Sequence, residues 1–287
     1  MLVGDSIREL IEAEAHEGLA ALLISDQAEA DGMPTQALRA AMAERWKVMI
    51  EAAQAGLDPT LRSVSGLTGG MAAKVWAGGG PAGGPRLAKV ASRALAVAEY
   101  NACMGRIVAA PTAGACGILP AVLLTVQEEQ GFSDDKMIDA LFCAGGVGRV
   151  IDRRASLSGA AGGCQAECGS AAAMAAAALV TLFGGTAAMA GHAVAFALMN
   201  TMGLVCDPVR GLVEVPCVFR NVLGATLALS CADMALTGVE SPLPADEVID
   251  AMRQVGDTMP TSLRETGEGG CAACPSACKR SVPTRGE

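Results

Sequence analysis

Aromatic side chains are nearly absent: five Phe, two Trp and one Tyr, 3% of 287 residues. A core without them must be built from Ala, Leu, Val and Met, and with 52% hydrophobic residues there is ample material for one large domain. Small side chains let helices approach closely, and Ala and Leu head the helix-propensity scale. Strand-type segments are scarce, so the chain predicts an all-α fold. Positive charge is also short. Lys and Arg number 21 against 30 Asp and Glu, a net charge of −9, and basic residues cluster no further than pairs such as Arg153-Arg154. This excludes nucleic acid as a partner, because neutralising phosphate needs a basic face. The N-terminal MLVGDSIREL has acids where an export signal needs a basic end and an apolar run. Eleven cysteines without such a signal are expected as thiols or metal ligands in the cytoplasm, rather than as disulfides.

What is abundant lies in the middle. Between Cys168 and Cys206 no residue is charged apart from His192. Residues 171–191 have the length of a bilayer span, but the run is mostly Ala, is broken by Gly184-Gly185, and lacks aromatic or basic flanks. It reads as buried helix, with no membrane. Around it the pattern predicts a single helical catalytic domain. Residues 1–60 form scaffold helices, 61–264 the core, with Gly/Pro-rich loops converging on a metal cluster, and 265–287 a Cys-rich tail without regular helix. Ser6 and Glu9 form a capping box opening one helix through Ala30. A second runs from Pro34 to Gly56, with Leu38, Met42, Trp46, Met49 and Ile50 on one side. Further helices are expected at 86–108, from Ile118, at 133–143, 145–152, 169–183, 186–202, 218–237 and 244–264.

Two loop-to-helix junctions carry polar, permissive residues. Ser63, Ser65, Gly66, Thr68, Gly69 and Gly70 precede a helix at Met71, and Thr112, Ala113 and Gly114 precede the helix at Ile118. Each offers hydroxyls and backbone N–H groups to an anion, although a plain capped helix start explains the pattern equally well. The GGGPAGGP run at 78–85 contains a glycine spacing seen in dinucleotide sites. No strand precedes it and two prolines interrupt it, so it reads as a connector.

Three cysteines sit beside Gly or Pro: Cys164 in GGCQAECGS, Cys206 in GLVCDPV and Cys217 in VEVPCV. Thiols on rigid loops at the ends of apolar helices suit a metal cluster shielded from water. Spacing alone favours buried structural cysteines, since no compact C-x2-C pair joins the three.

The strings SVSGLTGG, ALAVAEYNACMGRIVAAPTAGACGILPAVL, GGCQAECGSAAAMAAAALV, NTMGLVCDPVRGLVEVPC, ADEVIDAM and RETGEGG resemble the α chain of iron–sulfur-dependent bacterial L-serine dehydratases over nearly the whole length. The resemblance implies an all-helical catalytic fold and a [4Fe–4S] cluster on Cys164, Cys206 and Cys217, with no pyridoxal phosphate. It also implies a separate β chain within an oligomer. With three thiolates on a four-iron cube, one iron stays open for the hydroxyl of L-serine, whose elimination yields pyruvate and ammonia. The substrate carboxylate is then expected on Ser65, Gly66, Thr68, Gly69, Gly70, Thr112, Ala113 and Gly114. The base is unidentified. His16 reads as solvated and His192 as a packed core residue, leaving Glu167 and Lys74 as weak candidates.

The chain departs from that family's pattern at several positions. Ala161 replaces an acid, Arg153-Arg154 replace small polar residues, Arg210 replaces Ala, and Cys271 and Cys274 replace Leu and Thr. Tail thiols at Cys274 or Cys278 are candidates for a fourth cluster ligand. Two alternatives remain open: a lyase acting on cysteine or threonine, and a non-catalytic metal protein using Cys271, Cys274 and Cys278. A pyridoxal-phosphate enzyme is rejected, because the five lysines lie in helix-like or tail contexts.

Overall fold

A computed structural model describes residues 4–13 and 18–278. The helices are α1 (Ile7–Ala13), α2 (Leu19–Asp31), α3 (Thr35–Ala55), α4 (Met71–Gly78), α5 (Gly84–Ala102), α6 (Ile118–Gln130) and α7 (Asp134–Arg154). After them come the short α8 (Gly159–Gly162), α9 (Ser170–Leu182), α10 (Ala187–Thr201), α11 (Cys217–Leu236), α12 (Ala245–Thr258) and a last turn, α13 (Pro275–Cys278). Among the described residues the only β-type pairing is an isolated parallel bridge between Cys206 and Arg264, so the fold is all-α.

The uncharged middle of the sequence is the middle of the molecule. Every residue of α9 except Thr181 is buried, and α6, α7, α10 and α11 pack around it. The stretch Gln165–Leu182 is long and apolar enough to cross a membrane, but 89% of it is buried inside the protein. Small residues set the spacing. A Cβ at Gly169 would stand 2.5 Å from Thr201 Oγ1, and one at Gly224 would stand 2.4 Å from Ile118 Cδ1. Alanine and glycine thus replace aromatic bulk with short interaxial distances.

Several predicted boundaries move, each for a local reason. The capping box forms by half: Ser6 Oγ accepts from Glu9 N–H at 3.0 Å, while Glu9 reaches past Ser6 to accept from the N–H groups of Gly4 and Asp5. The expected single first helix is instead two, since Gly18 at φ 80 starts α2 afresh. The predicted 86–108 helix stops at Ala102, and Met104 at φ 64 turns the chain away. The two helices expected at 133–143 and 145–152 are one, α7. Its Gly146 and Gly148 face Leu23 and Met174 in close contact rather than breaking the helix. The last predicted helix ends at Thr258, before Pro260. Arg264 folds back there and donates to the carbonyls of Gly256, Asp257 and Met259 at the end of α12. The tail is irregular as expected, apart from 3-10 turns and α13. His16 and residues 279–287 lie outside the described residues.

Two glycines give opposite tests of this packing. A Cβ at Gly56 would meet the Ala96 carbonyl oxygen of α5 at 2.0 Å, whereas at the exposed Gly145 nothing lies within 4 Å. Gly56→Ala is expected to lower unfolding stability by about 3 kcal/mol through overpacking against backbone. Gly145→Ala should raise it by about 0.5–1 kcal/mol through helix propensity. Urea unfolding midpoints check both.

Candidate active site

The three predicted ligand cysteines are buried within reach of one another's fields. Cys164 follows Gly163, which turns the chain at φ 78, and opens a π-helical turn, Gln165–Gly169, that runs into α9. Such turns are frequent where a helix carries function. Gln165, fully buried, clamps this turn in place. Its side chain donates to the Met252 carbonyl at 2.9 Å and accepts from Gly203 N–H at 2.8 Å. Cys206 is pinned on both sides of its backbone, donating to the Leu263 carbonyl at 2.9 Å and accepting from Glu265 N–H at 2.7 Å. Cys217 is the first residue of α11. A helix N-terminus favours thiolate there.

As bare thiols Cys206 and Cys217 are held neutral. Burial first, then the Glu167 carboxylate and the neighbouring sulfurs, push Cys206 far above the ordinary thiol range. Burial, Cys164 and Glu167 push Cys217 up to about 12. Cys164 moves the other way. Its sulfur shares a hydrogen bond with the Cys168 sulfur at 3.4 Å and the Arg220 guanidinium adds positive charge, so its proton is more easily lost despite burial. Cys168 accordingly holds its own proton tightly. Arg220 itself is nearly enclosed, ion-paired to Asp207 at 2.8 Å and donating to the Val205 carbonyl at 2.7 Å.

The donor set fits an iron–sulfur cluster. Soft sulfur donors in a water-poor site, of which two stay protonated without a cation, gain most from a group that supplies positive charge and many soft bonds. Glycine leaves room beside them: a Cβ at Gly159 would stand 2.9 Å from Cys206 Sγ and 2.6 Å from Glu167 Oε2. Among the described residues no three Cys, His, Asp or Glu side chains converge on one ion. This arrangement disfavours a mononuclear site.

Of the two candidate bases, the fold brings only Glu167 to the thiols. Its Oε2 lies 3.9 Å from Cys206 Sγ, and a Cβ at Gly114 would stand 3.3 Å from Oε1. Burial raises its proton affinity and the Glu265 carboxylate adds to this, while Thr112, Cys206 and Arg220 oppose it. The Thr112 hydroxyl is near enough to favour the Glu167 anion but forms no aligned hydrogen bond, and it remains a buried donor without a partner. Lys74 is exposed on α4. His192 accepts from Ser241 N–H at 3.1 Å, a structural bond between α10 and the turn before α12.

The first Gly-rich loop does bind anions, and they are the protein's own. The Glu99 carboxylate, fully buried on α5, accepts from the N–H groups of Gly69, Met71 and Ala72 at 2.8, 3.1 and 2.9 Å. Ser63, Ser65 and Thr68 all donate to the carboxylate of Glu214, the Thr68 bond measuring 2.6 Å. The Thr112–Gly114 loop is tied down differently. Asn221 of α11 donates to the Gly114 carbonyl at 2.7 Å and the Cys217 carbonyl at 2.9 Å, and accepts from Gly117 N–H at 2.8 Å.

In the tail, Asp207 accepts from Cys271 N–H at 2.6 Å, fixing Cys271 beside Arg220 while Cys274 stays exposed. The side chain of Cys278 lies outside the described residues. Ala161 is exposed and lines a cavity of about 140 Å³ against α12, together with Gln165, Met252 and Asp257. The α8 residue facing Glu167 and Cys206 is Gly159. Arg153 and Arg154 pair with Asp5 and Asp250 at the surface. Arg210 occupies the left-handed region at φ 60.

Glu99, Glu214, Arg220, Asn221, Gln165 and Cys168 are the site residues that sequence reasoning missed. Glu99 alone carries a local mark, a charged residue inside the apolar helical pattern ALAVAEYNA, and that mark does not reveal its partner.

A family model described as serine dehydratase alpha chain matches residues 9–272. A Bacillus subtilis protein named "Probable L-serine dehydratase, alpha chain" is 47% identical over 276 residues, 94% of this chain and 92% of the relative. The "L-serine dehydratase, alpha chain" of Peptoniphilus asaccharolyticus is 52% identical over 189 residues, 66% of this chain and 65% of the relative. An "L-serine dehydratase" of Mycobacterium bovis is 42% identical over 246 residues, 82% of this chain but only 53% of that longer protein.

Proposed function

Because the chain belongs to the family of serine dehydratase alpha chains, we propose that it is the catalytic α chain of an L-serine dehydratase. It eliminates water from L-serine in the cytoplasm together with a separate β chain. The observation that carries the reading is the gathering of the buried Cys164, Cys206 and Cys217 around the Glu167 carboxylate, with Gly114 and Gly159 packed against it. The naming of the B. subtilis and P. asaccharolyticus relatives as alpha chains supports a separate partner chain.

The three thiolates would hold a [4Fe–4S] cluster, whose open iron supplies a Lewis acid for the departing hydroxide. Glu167 accepts the α-proton on its carboxylate, being the titratable side chain carried to the thiols. The Thr112 hydroxyl, with the backbone of Ala113 and Gly114, orients the substrate carboxylate. The loop of Ser65, Gly66, Thr68, Gly69 and Gly70 forms the adjoining wall. Loss of the α-proton and the hydroxyl leaves 2-aminoacrylate, which hydrolyses to pyruvate and ammonia. No lysine among the described residues reaches the pocket to form a Schiff base: Lys89 is paired with Glu128 and Lys136 lies over the Phe132 ring. Pyridoxal phosphate has no part in the scheme. A tail thiol, Cys274 or Cys278, would serve as a fourth ligand in the resting enzyme; in support, Asp207, next to Cys206, accepts from the N–H of Cys271 in the same tail.

The reading is tested with full-length chain, reconstituted anaerobically with iron and sulfide and mixed with its β chain. Pyruvate and ammonia should form from L-serine without added pyridoxal phosphate, faster than products form from L-threonine or L-cysteine. The chain alone should be weak or inactive. Failure to turn over serine, with turnover of threonine or cysteine, would move the assignment to a related lyase.

A further inference from the structure

We propose that Glu214 is a positioning residue that locks the Ser63–Thr68 loop onto the cysteine-bearing segment. Fixing that segment around its metal group thereby fixes the loop. The inference rests on the proposed cluster at Cys217 and goes beyond it, to a residue with no role in holding iron.

The Glu214 carboxylate is 4% exposed, and among the described residues it has no cationic partner. A buried carboxylate in that state is costly unless hydrogen bonds replace its water. Here one hexapeptide supplies them: Ser63 and Thr68 on Oε1, Ser65 on Oε2. The loop's other bonds on this side are modest: a Ser63 N–H to Thr68 carbonyl bond at 3.0 Å, turn bonds within it, and one long bond of 3.5 Å from Val64 N–H to the Ala102 carbonyl at the end of α5. Its far end is different. Gly69, Met71 and Ala72 are held by Glu99 from the rigid helix α5, a link independent of the cysteines.

The other end of the strut leads to the sulfurs. Glu214 precedes Cys217 by three residues, and its carbonyl accepts from Val218 N–H at 2.8 Å in the first turn of α11. Between Cys206 and Cys217 the segment is irregular, closed by a Val209 N–H to Val215 carbonyl bond at 2.8 Å. Drawing Cys206 and Cys217 onto one metal group therefore sets where Glu214 stands. All three loop hydroxyls follow together, because they share its two oxygens. Hydrogen bonds to a charged acceptor are strong enough for this purpose.

The test is site-resolved hydrogen–deuterium exchange of the full-length chain, metal-free and after anaerobic loading, in wild type and Glu214→Gln. Glutamine keeps the size of the side chain but removes the charge and turns one acceptor into a donor. In metal-free protein, Glu214→Gln should speed exchange at residues 63–68 about tenfold or more, the effect of weakening charge-assisted bonds. Exchange at Met71 and Ala72, whose N–H groups donate to Glu99, should stay unchanged. Loading should slow exchange at 63–68 in wild type only, with equal iron content in both proteins. KM for L-serine should rise in Glu214→Gln more than kcat falls, and Glu214→Asp should restore part of the difference. Identical exchange at 63–68 in the two metal-free proteins would overturn the proposal, as would equal slowing on loading. A lower KM in Glu214→Gln would also overturn it, by showing that the carboxylate competes with substrate instead of supporting the loop. If neither protein takes up iron, the cluster reading fails, and the metal-free comparison still decides whether Glu214 holds the loop.

Discussion

Replacing Cys164, Cys206 or Cys217 by Ala, one at a time, is expected to abolish the iron–sulfur chromophore and reduce serine turnover to background. Each thiol is buried where no water can substitute as a ligand. Each is also held by separate backbone constraints: the π turn for Cys164, the bridge to Arg264 for Cys206 and the α11 N-terminus for Cys217. None can shift to replace a missing neighbour. Cys231 provides the control. It is fully buried on α11, and its proton is held by desolvation alone, with no charged neighbour involved. Cys231→Ala should therefore keep full iron content and cost only packing, on the order of 1 kcal/mol. Iron and acid-labile sulfide assays on the four variants give the comparison, and a full cluster in all three ligand variants would sink the assignment.

The second large effect belongs to Glu167. Glu167→Gln should reduce kcat by about 10²–10⁴-fold, the usual contribution of a positioned base, with iron content and absorption spectrum kept. The spectral control matters because Glu167 lies 3.9 Å from Cys206 Sγ, so lost activity through lost iron must be separated from lost proton transfer. Rapid-quench turnover with α-deuterated serine adds a second readout. A wild-type isotope effect shows that proton removal limits the rate, and Glu167→Gln should enlarge it. A variant with wild-type kcat would remove Glu167 from the chemistry.

The all-α fold was legible because helix-forming small residues leave few alternatives, and the charge gap from Cys168 to Cys206 marked the central helices before any packing was known. The three cysteines were visible through their Gly and Pro neighbours, but spacing alone left them ambiguous with structural thiols. The resemblance decided in their favour. Glu214, Glu99 and Asn221 could not be read in the same way. Their partners lie about 150, 30 and 100 positions away, and no local pattern announces a hydrogen bond made across the fold. The loop Ser63–Gly70 shows the consequence. Its composition suggested a receptor for the substrate carboxylate; the carboxylates it holds here are the side chains of Glu99 and Glu214. The single helix expected over 86–108 failed for the opposite reason: local propensity continued, and the left-handed turn at Met104 overrode it.

The central claim is that the three thiols hold a cluster with one iron open to serine. Mössbauer spectroscopy of ⁵⁷Fe-reconstituted, full-length protein, recorded anaerobically before and after L-serine is added in the presence of the β chain, tests it most directly. The account predicts about four irons per chain, as expected for three cysteine ligands and one open site, with one quadrupole doublet that shifts on adding L-serine while the other three stay in place. Four equivalent irons that ignore serine, or serine turnover by protein free of iron, would contradict it.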